Sequence, residues 1–129
     1  MTIPMTYNTT SLKALLLAAA LALPGLAFTD EPAMVKDGFL VDHVGLTLYT
    51  YDTDAGGKSM CNGPCAKNWP PLTAKSESKD MGDWKTTERT DGTKQWVYKD
   101  KPLYTFAGDK NPGDKTGDGK GGVWHVAKP

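Results

Sequence analysis

The sequence predicts a mainly β, small single domain made of two pseudo-symmetric antiparallel repeats with long loops. Three observations point there. LYTYDTD at 48–54 and LYTFAGD at 103–109 match at an offset of 55 residues. Asp37-Gly38 matches Asp91-Gly92 at 54, and Trp69 matches Trp124 at 55, which implies a one-residue insertion in the second copy. Beyond the N-terminal segment, no window sustains the 3.6-residue apolar period of an amphipathic helix. Two copies are too few for a solenoid, so the repeats are expected to pack on each other as one domain.

Taken in order, residues 1–27 read as a secretory signal peptide. MTIPMTYNTTSLK carries one charge, Lys13, and precedes the apolar run ALLLAAALALPGL; Pro24-Gly25-Leu26-Ala27 then offers small residues to a peptidase. The run of 13 residues is short of the roughly 18–20 that cross a bilayer. Cleavage after Ala27 leaves residues 28–129, enough for one domain. It removes only Lys13 from the 15 basic residues, leaving 14 against 15 acidic ones. A net charge near −1 gives no electrostatic case for nucleic acid or anionic membranes. No cysteine stands near the cleavage site, so no lipobox and no stable membrane anchor are expected. The location predicted is periplasmic or secreted, and the product a monomer.

Repeat one covers about 35–72. FLVDHVG at 39–45 reads as a strand. In the next, Leu46, Leu48 and Thr50 share one face and Thr47, Tyr49 and Tyr51 the other. A polar linker, TAKSESKDMGD, follows at 73–83. Repeat two, about 84–129, has a turn at Thr90-Asp91-Gly92-Thr93, a strand in QWVYKDKP (95–102) with a hairpin tip at KDK (99–101), and Leu103 and Thr105 opposed to Tyr104 and Phe106. Residues 107–122 form a loop with six glycines, a length that is usually functional or mobile.

Cys61 and Cys65 are the only cysteines. Offset by 55, they fall on Thr116 and Lys120, so one of two equivalent loops has cysteines and the other glycine and aspartate. A feature of one loop alone favours a local staple. Asn62-Gly63-Pro64 is turn chemistry that brings residues four apart within disulfide reach, and an exported protein meets oxidising conditions. Two alternatives remain open. Pro64 opening a short helix over 65–68 would place Cys65 at its N-terminus, which favours a redox thiolate. The thiolates with His43, His125 or Met60 would form a soft set suited to copper.

Calcium is the other metal considered. Asp109, Asn111, Asp114 and Asp118 supply hard oxygen ligands at short spacing, and 114–119 approaches a calcium-loop opening. Thr116 replaces an expected acid or amide, and His125 stands where a bidentate glutamate would be. Solvated turns have the same composition. Tyr49, Tyr51, Tyr104, Phe106, Trp69, Trp84, Trp96 and Trp124 read as core, against a stacking surface for a sugar, haem or quinone. His43 and His125 lie in no local motif, and there is no nucleophile elbow, HExxH, phosphate loop or dinucleotide fingerprint.

With these residues in view, the chain resembles a bacterial family of secreted proteins and lipoproteins built from a tandem repeat with a Y-x-[FWY]-x-x-D motif. The motif stands at Tyr49, Tyr51 and Asp54 and again at Tyr104, Phe106 and Asp109; CNGPCAKNWPPL and GDGKGGVWHV resemble the family too. The resemblance implies no settled biochemical activity. Many members are lipid-anchored, which the missing lipobox cysteine does not match, and Thr116 departs from the members' D-x-N-x-D-G. The function expected is that of a non-enzymatic secreted or periplasmic module binding an unknown ligand or envelope protein through its loops. Asp54 and Asp109 would close turns. The alternative is an envelope redox or copper-handling protein using Cys61 and Cys65. No resident cofactor is expected beyond those calcium and copper readings.

Overall fold

The computed structural model describes residues 31–129; the expected signal peptide and its cleavage site lie outside the described residues. Strand β1 (Met34–Lys36) turns back into β2 (Phe39–Val41). Asp37 and Gly38 between them have φ of 53° and 85°, as a two-residue hairpin requires. Then come β3 (Tyr49–Tyr51), the short helix α1 (Pro64–Asn68), β4 (Thr73–Ala74), β5 (Trp84–Glu88), β6 (Lys94–Tyr98), β7 (Lys101–Pro102), a single 3-10 turn at Lys120–Gly122, and β8 (Trp124–Val126). Helix α1 starts at Pro64 because a proline at the first position loses no hydrogen bond.

All pairings are antiparallel. β6 is central, with β5 along one edge and β4 and β7 sharing the other. The KDK hairpin tip is found: Lys99 and Asp100 turn with φ of 49° and 67°. Thr73 and Ala74 correct the expected linker, since they form β4 and pair with Gln95 and Lys94.

The one-residue insertion is a net of two changes. Leu48 N–H bonds Leu40 O and Leu103 N–H bonds Trp96 O, so Leu40 and Trp96 are equivalent. Gly38 precedes Leu40 by two residues, and Gly92 precedes Trp96 by four. The next turn then loses one residue: 43–45 in copy one becomes 99–100 in copy two.

The two LYT segments meet at the centre. Tyr49 N–H bonds Tyr104 O at 2.7 Å and Tyr104 N–H bonds Tyr49 O at 3.0 Å, so a pseudo-twofold axis runs between equivalent residues. Each copy sends its last strand to the other. Leu72 N–H bonds Leu103 O while Trp96 N–H bonds Leu72 O; Ala127 N–H bonds Leu48 O while Leu40 N–H bonds Ala127 O. β8 of the second copy thus completes β3 of the first, and β4 of the first extends the sheet of the second.

Both faces of the LYT segments are apolar, as their alternation predicts. Leu48 and Leu103 pack with Leu40, Trp84, Trp96 and Ala127 on one side. Tyr49 and Tyr104 pack with Cys61, Trp69, Trp124 and Val126 on the other. Residues 32–129 form one compact unit. No helix among the described residues is long and apolar enough to cross a membrane.

Candidate functional site

The motif residues assemble on the pseudo-axis. Tyr49 donates its phenol hydrogen to Asp109 Oδ2 at 2.6 Å, and Tyr104 donates to Asp54 Oδ2 at 2.7 Å. Each motif tyrosine is therefore answered by the aspartate of the other copy. Asp54 and Asp109 also close turns, their N–H groups bonding Tyr51 O and Phe106 O. They cap the loops beyond as well: Asp54 Oδ1 accepts Met60 N–H, and Asp109 Oδ1 accepts the N–H and hydroxyl of Thr116.

Between the two pairs lies a stack of four rings. Tyr51 covers Trp124 at 4.2 Å, Trp124 covers Trp69 at 3.7 Å, and Trp69 covers Phe106 at 4.3 Å. Tyr49 meets Trp69 edge-on at 5.3 Å, and Tyr104 meets Trp124 edge-on at 5.1 Å. Edge-on contact presents positive ring edges to negative faces. The flat approach needs Gly117, where a Cβ would lie 2.6 Å from the Trp69 ring. Both tryptophans are buried, as are Tyr49, Tyr104, Trp84 and Trp96, so these rings form core, while Tyr51 and Phe106 at the ends of the stack are half-buried.

Electrostatics agree with a closed centre. Burial, then the hydrogen bond to Asp109, pushes the Tyr49 phenol well above its ordinary range; burial, then Asp54, does the same to Tyr104. Burial raises the Asp54 carboxyl, against the lowering effect of Tyr104, Met60 N–H and Arg89.

Cys61 and Cys65 are joined as a disulfide with Cα atoms 5.2 Å apart. In this oxidised state neither sulfur is the thiolate that copper binding needs. The loop they close is anchored by Arg89, the only arginine in the chain. Buried at 6 % exposure, it donates to Cys61 O at 2.7 Å, Gln95 Oε1 at 2.7 Å and Ser59 Oγ at 3.0 Å. Its Nε has no partner among the described residues. Sequence reasoning missed Arg89; its one signal is being an arginine among lysines.

The calcium set does not converge. Asp109 is spent on Tyr49 and Thr116, Asp114 Oδ2 accepts Lys110 and Asn111 N–H, and Asp118 Oδ1 accepts Val126 N–H. Among the described residues no group of three or more His, Cys, Asp or Glu is placed to hold a metal.

A groove of about 300 Å³ opens where β3 and β8 approach the β6–β7 turn. On its wall His125 Nε2 contacts Asp52 Oδ2 at 2.8 Å, both side chains half-exposed. Thr50 stands opposite His125 in the ladder. The half-buried Tyr98 supplies an apolar ring, the buried Leu103 and Ala127 border it, and Lys99, Lys101 and Lys128 supply cations. The pseudo-symmetric position keeps Thr105 and Leu48 but lacks the His–Asp pair and the lysines. At the offset of 55, Ala107 stands for Asp52, Pro70 for His125 and Thr73 for Lys128; by the hairpin hydrogen bonds, Leu46 stands for Lys101. The pairing of Asp52 with His125, 73 residues away, was illegible without the fold. His125 is thereby also placed with Asp52, not with the cysteines.

A family model described as a secreted repeat of unknown function matches residues 33–73 and 85–128, one match for each copy. The chain belongs to that family. Comparisons with curated proteins and with solved structures gave no match.

Proposed function

We propose that this member of the secreted-repeat family is a non-catalytic binding module that works unanchored and as a monomer in the periplasm or medium, taking a small ligand in the groove beside Asp52 and His125. The observation that carries this is asymmetry. The repeated motif residues satisfy one another inside the fold: Tyr49 with Asp109, Tyr104 with Asp54, Trp69 with Trp124. Architecture repeats because both halves need it. The His–Asp pair and the lysines of the groove are present once; Ala107, Pro70 and Thr73 stand at the pseudo-equivalents of Asp52, His125 and Lys128. A volume of about 300 Å³ lies at the lower end for small-molecule sites.

The test is native mass spectrometry after incubation with a small-molecule extract of spent medium. The wild type is expected to gain a bound mass. Thr50→Trp, which fills the groove, is expected to lose it, whereas Tyr49→Phe keeps it. The same mass on Thr50→Trp, or none on the wild type, would sink the proposal.

A further inference from the structure

We infer that the groove is a site for a small organic anion, a phosphate monoester, sulfonate or carboxylate on an apolar body; this rests on the groove being the binding site. Its lining holds three lysines and one carboxylate, Asp52, leaving two positive charges in excess before His125 is counted. The chain as a whole has 15 basic and 15 acidic residues, so this is a local concentration of one sign. Asp52 is already engaged by His125 at 2.8 Å and bonds no lysine among the described residues. The ammonium of Lys99 lies 5.2 Å from the Tyr98 ring centroid, near the apolar wall of the groove.

The three cations come from separate places: Lys99 from the β6–β7 turn, Lys101 from β7, and Lys128 from the segment after β8. Strand exchange is what brings them to one groove, since β8 crosses to pair with β3. Lysines act as point charges without the planar fork of arginine, so the site selects negative charge over oxyanion geometry. The half-buried Tyr98 ring and the aliphatic stems of the lysines offer a surface to an apolar body, which inorganic anions lack. Three lysine cations beside an apolar ring distinguish amphiphilic anions from both simple salts and neutral aromatics.

The inference is tested by amide chemical-shift titration of the disulfide-intact protein with phenyl phosphate, inorganic phosphate and benzyl alcohol, repeated on Lys101→Ala/Lys128→Ala. Phenyl phosphate is expected to shift Thr50, Tyr98 and His125 saturably and more tightly than either other probe. The double variant should weaken it about tenfold, and added salt should weaken it further. If benzyl alcohol titrates the groove as well as phenyl phosphate does, and the double variant changes nothing, the groove binds ligands but the anion inference falls. Equal, unsaturable shifts at lysines across the surface, or no shift at all, also overturn it. Those results leave the groove itself to the mass measurement with Thr50→Trp, which does not depend on ligand charge.

Discussion

Asp109 receives the Tyr49 phenol on one carboxylate oxygen and the N–H and hydroxyl of Thr116 on the other, at 6 % exposure. Removing it orphans donors that water reaches poorly, so Asp109→Ala should destabilise by about 3 kcal/mol. Asp54 is less buried and should lose less on the same change. Coupling is the sharper measurement. A cycle of Tyr49→Phe and Asp109→Asn, read by denaturant unfolding, should show about 1–2 kcal/mol of interaction, and strict additivity would refute the pairing. The phenols also set an alkaline limit. Unfolded tyrosine ionises near pH 10, whereas burial and the facing aspartates hold Tyr49 and Tyr104 protonated above that. Above about pH 10 the folded state therefore binds more protons than the unfolded one, and stability falls as pH rises. Tyr49→Phe/Tyr104→Phe should flatten that slope; an unchanged slope would mean the phenols ionise as they do in the unfolded chain.

Among the elements, the CNGPC segment depends most on a covalent tie. α1 has five residues and no buried side chain, far too short to be stable alone. The Cys61–Cys65 link fixes the loop whose carbonyl Arg89 holds. Cys61→Ser/Cys65→Ser should lower stability by about 2 kcal/mol, shifting the urea midpoint with little change in slope; no shift would show that Arg89 alone holds the loop. The hairpins make a prediction of the opposite sign. Asp100 has φ of 67° without being glycine, so Asp100→Gly should stabilise by up to about 1 kcal/mol in a thermal melt. These elements were legible because their causes are local: Asp-Gly turns, period-two alternation, Pro64 after a turn. Thr73–Ala74 were read as linker because their strand character comes wholly from β6. Asp52–His125 and Arg89–Cys61 escaped for the same reason, being contacts that only the crossing of strands creates.

At the scale of the molecule, strand exchange makes the two repeats one cooperative unit. The first copy has β1–β3 but takes β8 from the second, while the second takes β4 from the first. Neither half contains the partner that its own edge needs, and each holds one ring of the central Trp69–Trp124 pair. The exposed stretch around Ser78 is where the chain can be divided without cutting a strand. Fragments 31–78 and 79–129, prepared separately, should each lack cooperative unfolding at low concentration. Mixed, they should associate and recover near-ultraviolet circular dichroism from the stacked tryptophans, a signal neither fragment gives alone and Trp69→Phe should remove. Concentration-independent folding of either fragment would overturn the exchange as a requirement for folding. A fragment that folds only at high concentration, as a pair of identical repeats, would instead make the same exchange between chains, because the axis relating Tyr49 to Tyr104 would then relate two copies of one tyrosine.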